Sequence, residues 1–249
     1  MSTAFFWLFV LLLALGAPVV FALLIGPGLS LLVDGQERYF TALLARFYNG
    51  VDSFPLLAVP FFILAGELMN SGGITQAIVR FSQSLVGHVR GGLAQVNVMS
   101  SMLFAGISGS AVADVSALGK MLIPAMEAEG YTRRFAAAIT AASAIIGPII
   151  PPSGIMIIYA YVMGESVAAL FLAGILPGIL IGVALMITIK LMADRYNLPD
   201  ALPRASWGEA GRAGAAAFWP LMTPVLLMGG ILSGVFTPTE AAAVAAGRS

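Results

Sequence analysis

The sequence Gly147-Pro148-Ile149-Ile150-Pro151-Pro152-Ser153-Gly154 lies at the centre of a charge-free stretch that runs from Phe135 to Gly164. Its three prolines and two glycines exclude a continuous helix, although the flanking apolar sequence is suited to a membrane. In hydrocarbon, irregular backbone is tolerated only where protein buries it or where it lines a wet cavity. The stretch therefore predicts a broken membrane helix with a binding site at the break.

Composition places the whole chain in a membrane. The 249 residues are 59% hydrophobic and 10% charged, with a mean hydropathy of +0.97; a soluble domain carries about 25% charged residues. Twelve basic residues balance twelve acidic ones, and no Lys/Arg-rich run exists to neutralise phosphates, which argues against nucleic acid as a partner. The absence of cysteine excludes disulfides, thiolate catalysis and Cys-based metal sites.

A second interruption occurs in the charge-free stretch from Gly91 to Ala113, where Gly106 to Ser110 break the apolar pattern. The arms on either side, 93–105 and 111–126, are about 20 to 24 Å long as helices, too short to cross a bilayer comfortably. Basic residues flank both outer ends, Arg90 on one side and Arg133-Arg134 on the other, which places both ends in the cytoplasm. We therefore expect a re-entrant hairpin with Ser108-Gly109-Ser110 at its tip.

The remaining sequence predicts further spans and surface helices. The run from Phe5 to Val33 would be about 43 Å long as one helix, so it tilts across once or breaks and returns, at Gly16-Ala17-Pro18 or at Gly26-Pro27-Gly28. Amphipathic patterns predict interfacial helices in three segments, and apolar runs predict two later spans. These are, in order, the segments 34–52, 76–90 and part of 196–217, and the spans 167–189 and 219–236.

Two local patterns in these later segments predict particular features of helix structure. Gly174, Gly178 and Gly182 repeat every fourth residue, which indicates close approach of another helix. Thr237-Pro238-Thr239-Glu240 predicts a capped helix start.

We expect the chain to divide into three regions. These are scaffold-like helices over 1–90, a hairpin and broken helix of transport type over 91–189, and a linking helix with the start of a second repeat over 190–249.

The two interruptions are most informative together. Helices that begin at mid-membrane present free N–H groups to substrate carboxylates, while helices that end there present carbonyls to Na⁺. Ser108, Ser110 and Ser153 would add hydroxyl groups. Simple proline or glycine kinks, satisfied by neighbouring helices, are the alternative.

Two acidic residues lie inside the apolar segments. Asp114 follows Ser110 by four residues and shares its helix face; an intramembrane acid serves as a proton carrier, a cation ligand or the partner of a base, and Lys120 is the candidate base. Glu67 is either a similar site or, as we expect, a residue near a helix end or bonded to a neighbouring element.

One enzymatic hypothesis comes from Gly106-Ile107-Ser108-Gly109, which matches the serine signature of rhomboid intramembrane proteases. A buried serine needs a base to become a nucleophile. The rhomboid histidine follows the serine, whereas His88 is the only histidine here and precedes it. We therefore expect no enzyme activity.

Four stretches in this order resemble the large membrane subunit of the tripartite ATP-independent periplasmic (TRAP) transporters. They are Asp52 to Met69 (DSFPLLAVPFFILAGELM), Phe104 to Asp114 (FAGISGSAVAD), Gly147 to Gly154 (GPIIPPSG) and Phe236 to Ala243 (FTPTEAAA). The resemblance implies a multi-pass bacterial inner-membrane protein, all-α, built from inverted repeats that each contain a re-entrant hairpin and a discontinuous helix.

The resemblance also implies a function: Na⁺-coupled uptake of carboxylate solutes, C4-dicarboxylate-like, with no cofactor other than the coupling ion. The implied partners are a small membrane subunit, a periplasmic substrate-binding protein and the lipid bilayer. Carried over, half of a substrate and Na⁺ site falls on eight residues, with Na⁺ at Ser108, Ser110, Ser153 and nearby backbone carbonyls. The eight are Ser108, Gly109, Ser110, Asp114, Pro151, Pro152, Ser153 and Gly154.

Members of that family are longer, so this chain is expected to cover about the first repeat, and a non-transporting remnant or assembly partner is the alternative hypothesis. A channel would need a continuous polar pore, which the few charges of this sequence do not provide.

Overall fold

The computed structural model describes residues 3–199 and 201–248, and within these ranges the chain consists of helices and turns without a strand. The all-helical prediction is confirmed. Contacts divide the chain into two compact units, the first ending at Ser53 and the second beginning at Phe54.

The first unit contains α1 (Thr3–Ala14), α2 (Val19–Val33) and α3 (Phe40–Val51). The long apolar run breaks at Gly16, whose φ of +80° lies in the left-handed region, whereas Gly26-Pro27-Gly28 stays inside α2. α1 folds back on α2: a Cβ added to Gly26 would lie 3.4 Å from the Phe5 ring and 3.8 Å from Phe9 Cβ. The run is therefore a helical hairpin and not one tilted helix.

The second unit contains nine α-helices in its described part, after a 3₁₀ turn at Phe54–Leu57. They are α4 (Ala58–Ser71), α5 (Ile74–Val86), α6 (Gly92–Ser108), α7 (Ala111–Ala128), α8 (Arg133–Ala144), α9 (Gly154–Met163), α10 (Val167–Met192), α11 (Trp207–Leu232) and α12 (Pro238–Arg248). Among the described helices, α10 and α11 are each long and apolar enough to cross a membrane. The cap predicted for α12 is confirmed, since the Glu240 carboxylate accepts from Thr237 N at 2.8 Å and Thr237 Oγ1 accepts from Glu240 N at 3.3 Å.

The prediction of a separate interfacial helix before the 219–236 span was wrong. The structure has a single helix, α11, which starts at the capping box of Ser206 and Glu209 and continues through Pro220 and Pro224. The charges at Glu209 and Arg212 only mark its polar first turns. A change in polarity was mistaken for a boundary: Gly214 is the only glycine or proline between Ala213 and Phe218, and α11 continues through it.

α6 is the centre of the second unit. It is buried on almost all sides, by α5, α7, α8 and α10, as expected for a helix that is not amphipathic. The outer ends of the α6–α7 pair meet, because Tyr131 Oη donates to Gly91 O at 2.8 Å. Burial raises the pKa of Tyr131 to about 12, so the phenol stays neutral and keeps this bond.

The glycine repeat on α10 packs as predicted. A Cβ on Gly174 or Gly178 would overlap atoms of Ile149 and Ile150 in the broken segment, and one on Gly182 would overlap the Met102 side chain of α6. Because these three glycines have no side chain, the broken segment and α6 can approach the backbone of α10.

Candidate functional site

The first interruption is shorter than the sequence suggested. α6 continues through Gly106 and Ile107, so only Gly109 and Ser110 separate it from α7. Gly109 ends α6 in the left-handed conformation, with a φ of +57°, and Ser110 caps α7 by accepting from Ala113 N at 3.4 Å. Gly106 serves packing instead, since a Cβ there would lie 3.2 Å from Pro224 Cβ on α11.

The second interruption is longer than the eight residues that break the sequence pattern. α8 ends at Ala144 and α9 begins at Gly154, with turns and irregular backbone between them. The turns are closed by short-range bonds, such as Ile149 N to Ile146 O at 3.0 Å. Ser153 precedes α9 in an extended conformation, but its side chain does not cap the helix.

The structure brings the two interruptions into direct backbone contact. A Cβ on Gly109 would lie 3.0 Å from Ser153 Cα and would overlap the Pro152 carbonyl oxygen. A Cβ on Gly147 would lie 3.1 Å from the Ser110 carbonyl carbon and 3.2 Å from Ala111 N. Only glycine at both positions allows this approach, so the hairpin tip and the broken segment pack directly against each other.

Several helix ends surround this contact. α7 and α9 both begin there, as the sequence predicted, and direct the positive ends of their dipoles at this contact, while α6 ends there with the negative end of its dipole. The Ser153 hydroxyl is fully buried at the start of α9 and has no hydrogen-bond partner among the described residues. A buried hydroxyl without a partner is costly, so this group is available to a ligand.

Asp114, four residues after Ser110, faces the protein core. Its side chain is 0% exposed, next to the Ser101 hydroxyl, and neither carboxyl oxygen has a hydrogen-bond partner that meets the geometric limits in the described chain. The expected alternative, an ion pair with Lys120, is wrong: Lys120 is exposed, and the described residues show no such pair.

Beside Asp114, a hydrogen-bond network joins α6 to α8. Asn97 Nδ2 donates to Thr140 Oγ1 at 2.7 Å, Ser143 Oγ donates to Asn97 Oδ1 at 3.3 Å, and Ser101 Oγ donates to Ser143 Oγ at 3.0 Å. The sequence analysis missed these residues. The available signal was the spacing of small polar residues, four apart on α6 and three apart on α8, which places each pair on one helix face.

Ser108 and Ser110 face a groove between α4 and α7 that does not include Asp114. Glu67 also lines this groove, on the α4 side. α4 approaches closely here, since a Cβ on Gly66 would lie 3.5 Å from Ser108 Cα. Of the predicted site residues, the structure therefore unites the serine tip with Pro152 and Ser153, and places Asp114 in the adjacent core.

A family model described as the tripartite ATP-independent periplasmic transporter, DctM component, matches residues 5–249. The chain belongs to this family. The resemblance found in the four sequence stretches is thereby confirmed over nearly the whole chain.

Individual relatives agree with this assignment. The chain is 47% identical over 234 residues to the sialic acid TRAP transporter large permease protein SiaM of Vibrio cholerae, an alignment that covers 94% of this chain and 54% of the relative. It is 45% identical to the sialic acid TRAP transporter permease protein SiaT of Haemophilus influenzae, over 98% of this chain and 39% of the relative. The C4-dicarboxylate TRAP transporter large permease protein DctM of Vibrio cholerae is 39% identical, over 99% of this chain and 54% of the relative.

The chain thus spans about half the length, or less, of the curated relatives it matches. These relatives are transporter permeases and not enzymes, in agreement with the expectation that the rhomboid-like Gly-Ile-Ser-Gly sequence has no proteolytic role. In the structure, that sequence is the end of α6 and the hairpin tip.

Proposed function

We propose that this chain contributes one half of the site of a Na⁺-coupled TRAP permease that takes up carboxylate solutes. The observation that carries the proposal is the backbone contact between Gly109 and Pro152-Ser153. Two helix N-termini, one helix C-terminus and a buried hydroxyl without a partner in the described chain meet there, a combination that secondary transporters use for anionic substrates and Na⁺.

Within this half-site, Na⁺ binds to the hydroxyl groups of Ser108, Ser110 and Ser153 and to neighbouring backbone carbonyls. The substrate carboxylate faces the N-termini of α7 and α9. Gly109, Pro151, Pro152 and Gly154 shape the backbone, and Asp114 supplies a buried carboxyl group behind the tip. The α6–α7 hairpin is re-entrant, the hairpin and broken helix within 91–189 form the transport-type region, and the whole corresponds to one of two inverted repeats.

The proposal extends to the assembly. The family description names a tripartite, periplasmic system. We infer that the chain lies in the bacterial inner membrane and that its partners are a small membrane subunit and a periplasmic substrate-binding protein. The relatives are named for sialic acid, for 2,3-diketo-L-gulonate and for C4-dicarboxylates. We therefore propose the carboxylate class as the substrate, C4-dicarboxylates included.

Uptake measurements test this function. In a full-length large permease subunit reconstituted with its partners, the serines aligned with Ser108 and Ser153 are replaced by alanine and Na⁺-dependent uptake is measured in proteoliposomes. We expect the double variant to lose most Na⁺-dependent uptake. Replacing the serine aligned with Ser100, which is also buried on α6 without a partner, should leave it intact. Unchanged Na⁺ dependence in the double variant would contradict the proposal.

A further inference from the structure

The groove beside the hairpin tip has a volume of about 490 Å³ and runs along α7, with α4 as its opposite wall. The α7 residues that line it include Ala113, Ser116, Ala117 and Lys120, whose spacing of three or four residues places them on one helix face. Lys120 lies ten residues beyond Ser110, or about 15 Å along the helix axis. The groove therefore extends from the proposed half-site toward the outer end of the hairpin.

Two opposite charges line this groove without neutralising each other. Lys120 on α7 and Glu67 on α4 are both exposed, and no ion pair joins them in the described chain. Charges within membrane segments are costly unless they face a water-filled cavity. Lys120 therefore indicates that the groove is wet.

The direction of the groove follows from the flanking charges. α7 runs from the tip to Ala128 and is followed by Arg133 and Arg134 at the start of α8. Arg90 precedes the other arm of the hairpin, and Tyr131 holds the two outer ends together through Gly91. The positive-inside rule assigns these ends to the cytoplasm, so the groove opens toward the cytoplasm.

We propose that this groove is the cytoplasmic release path of the substrate, in which Lys120 binds the carboxylate and Glu67 accepts hydrogen bonds from hydroxyl groups of the same molecule. The proposal rests on the proposed function and adds a substrate preference to it. A lysine ammonium offers three donors and a carboxylate accepts only. A hydroxylated monocarboxylate can accept hydrogen bonds from Lys120 through its carboxylate and donate hydrogen bonds to Glu67 and to Ser116 on α7 through its hydroxyl groups.

A dicarboxylate suits this groove less well. Once one carboxylate is bound at Lys120, the second lies in the same groove as the Glu67 carboxylate, and like charges repel. An unpaired like charge is a common means of discriminating between ligands. The path should thus favour hydroxylated monocarboxylates over succinate.

The absence of cysteine makes the groove accessible to a clean labelling experiment. Ser116→Cys places a thiol in the groove, whereas Val115→Cys places one on the adjacent, exposed position that does not line it. Each variant is expressed in inverted membrane vesicles and treated with a membrane-impermeant thiol reagent. We expect Ser116→Cys to react from the cytoplasmic side and Val115→Cys to react far more slowly; an unreactive Ser116→Cys would overturn the wet groove.

Ligand protection then tests Lys120. Labelling of Ser116→Cys is repeated with increasing potassium gluconate or potassium succinate, alone and combined with Lys120→Gln, Lys190→Gln or Glu67→Gln. Gluconate should protect at lower concentration than succinate, and Lys120→Gln should raise its half-protecting concentration about tenfold or more, as expected for loss of a hydrogen bond to a charged group. Lys190, the other lysine of the chain, lies outside the groove and should have no effect.

Two further outcomes decide the role of Glu67 and the independence of the two proposals. Glu67→Gln should improve protection by succinate. The assignment of Lys120 and Glu67 as substrate-binding residues would be overturned by equal protection from both ligands in the Ser116→Cys protein, or by unchanged protection with Lys120→Gln. Because potassium salts are used, a failure of the Na⁺ site at Ser108 and Ser153 leaves this protection intact. Loss of both protection and Na⁺ dependence would contradict both proposals.

Discussion

At the scale of single residues, Gly109 controls how the site is built. Its positive φ is unfavourable for other residues, and its missing side chain lets the Pro152 carbonyl approach the hairpin tip. The sequence marked Gly109 as part of the tip. It did not show that the residue touches the broken segment, because contacts between residues far apart in sequence depend on how the helices pack.

Gly109→Ala tests this contact. We expect a loss of about 2–4 kcal/mol in unfolding free energy, from the left-handed backbone and from overlap with Pro152. Thermal or denaturant unfolding in detergent measures the change. Gly211→Ala on α11 is the matched control, since an added Cβ there meets nothing within 4 Å; it should be neutral or slightly stabilising. Equal effects of the two substitutions would show that Gly109 is not closely packed.

At the scale of elements, two devices hold the site together: the polar network between α6 and α8, and the glycine face of α10. The glycine face was predictable because a four-residue repeat has one physical meaning in an apolar helix. The network was not, because Asn97 and Thr140 lie in different segments and their pairing depends on three-dimensional packing. The positions of the two breaks were predicted correctly, but the length of the first was overestimated. Gly106 does not break α6; it packs against Pro224.

Asn97→Ala tests the network. Its loss leaves Thr140 and Ser143 with fewer partners in a buried setting, and we expect about 1–3 kcal/mol of destabilisation. Ser100→Ala removes a buried hydroxyl that has no partner among residues 3–199 and 201–248 and should be neutral or slightly stabilising. Unfolding of both variants in the same detergent compares them; a smaller effect for Asn97→Ala than for Ser100→Ala would exclude a structural network.

Gly174→Ala and Gly182→Ala test the α10 face. The added methyl at Gly174 meets a backbone carbonyl of the broken segment, Ile149 O, whereas at Gly182 it meets the flexible end of Met102. Backbone yields less readily than a methionine side chain, so we expect about 1–3 kcal/mol for Gly174→Ala and a smaller loss for Gly182→Ala. Unfolding midpoints in the reverse order would contradict the packing of α10 against the break.

At the scale of the whole molecule, composition and four short motifs were sufficient to predict the fold class and the family. They were insufficient to show that α11 is one continuous helix, because charged residues in the first turns of a membrane helix resemble an interfacial segment. The sequence left the hairpin of α1 and α2 open for a related reason: Gly16 and Gly26 each lie beside a proline in apolar sequence, but Gly26 stays helical and packs against Phe5 and Phe9.

The most direct test of the Na⁺ half-site is the melting temperature of the purified chain in NaCl compared with KCl at equal ionic strength. A ligand that binds only the folded state adds about 1 kcal/mol of stability at roughly five times its Kd. We predict a higher melting temperature in Na⁺ for the unmodified chain and for Ser100→Ala, and loss of that difference in Ser153→Ala. An equal Na⁺ shift in Ser153→Ala, or none in the unmodified chain, would contradict the half-site.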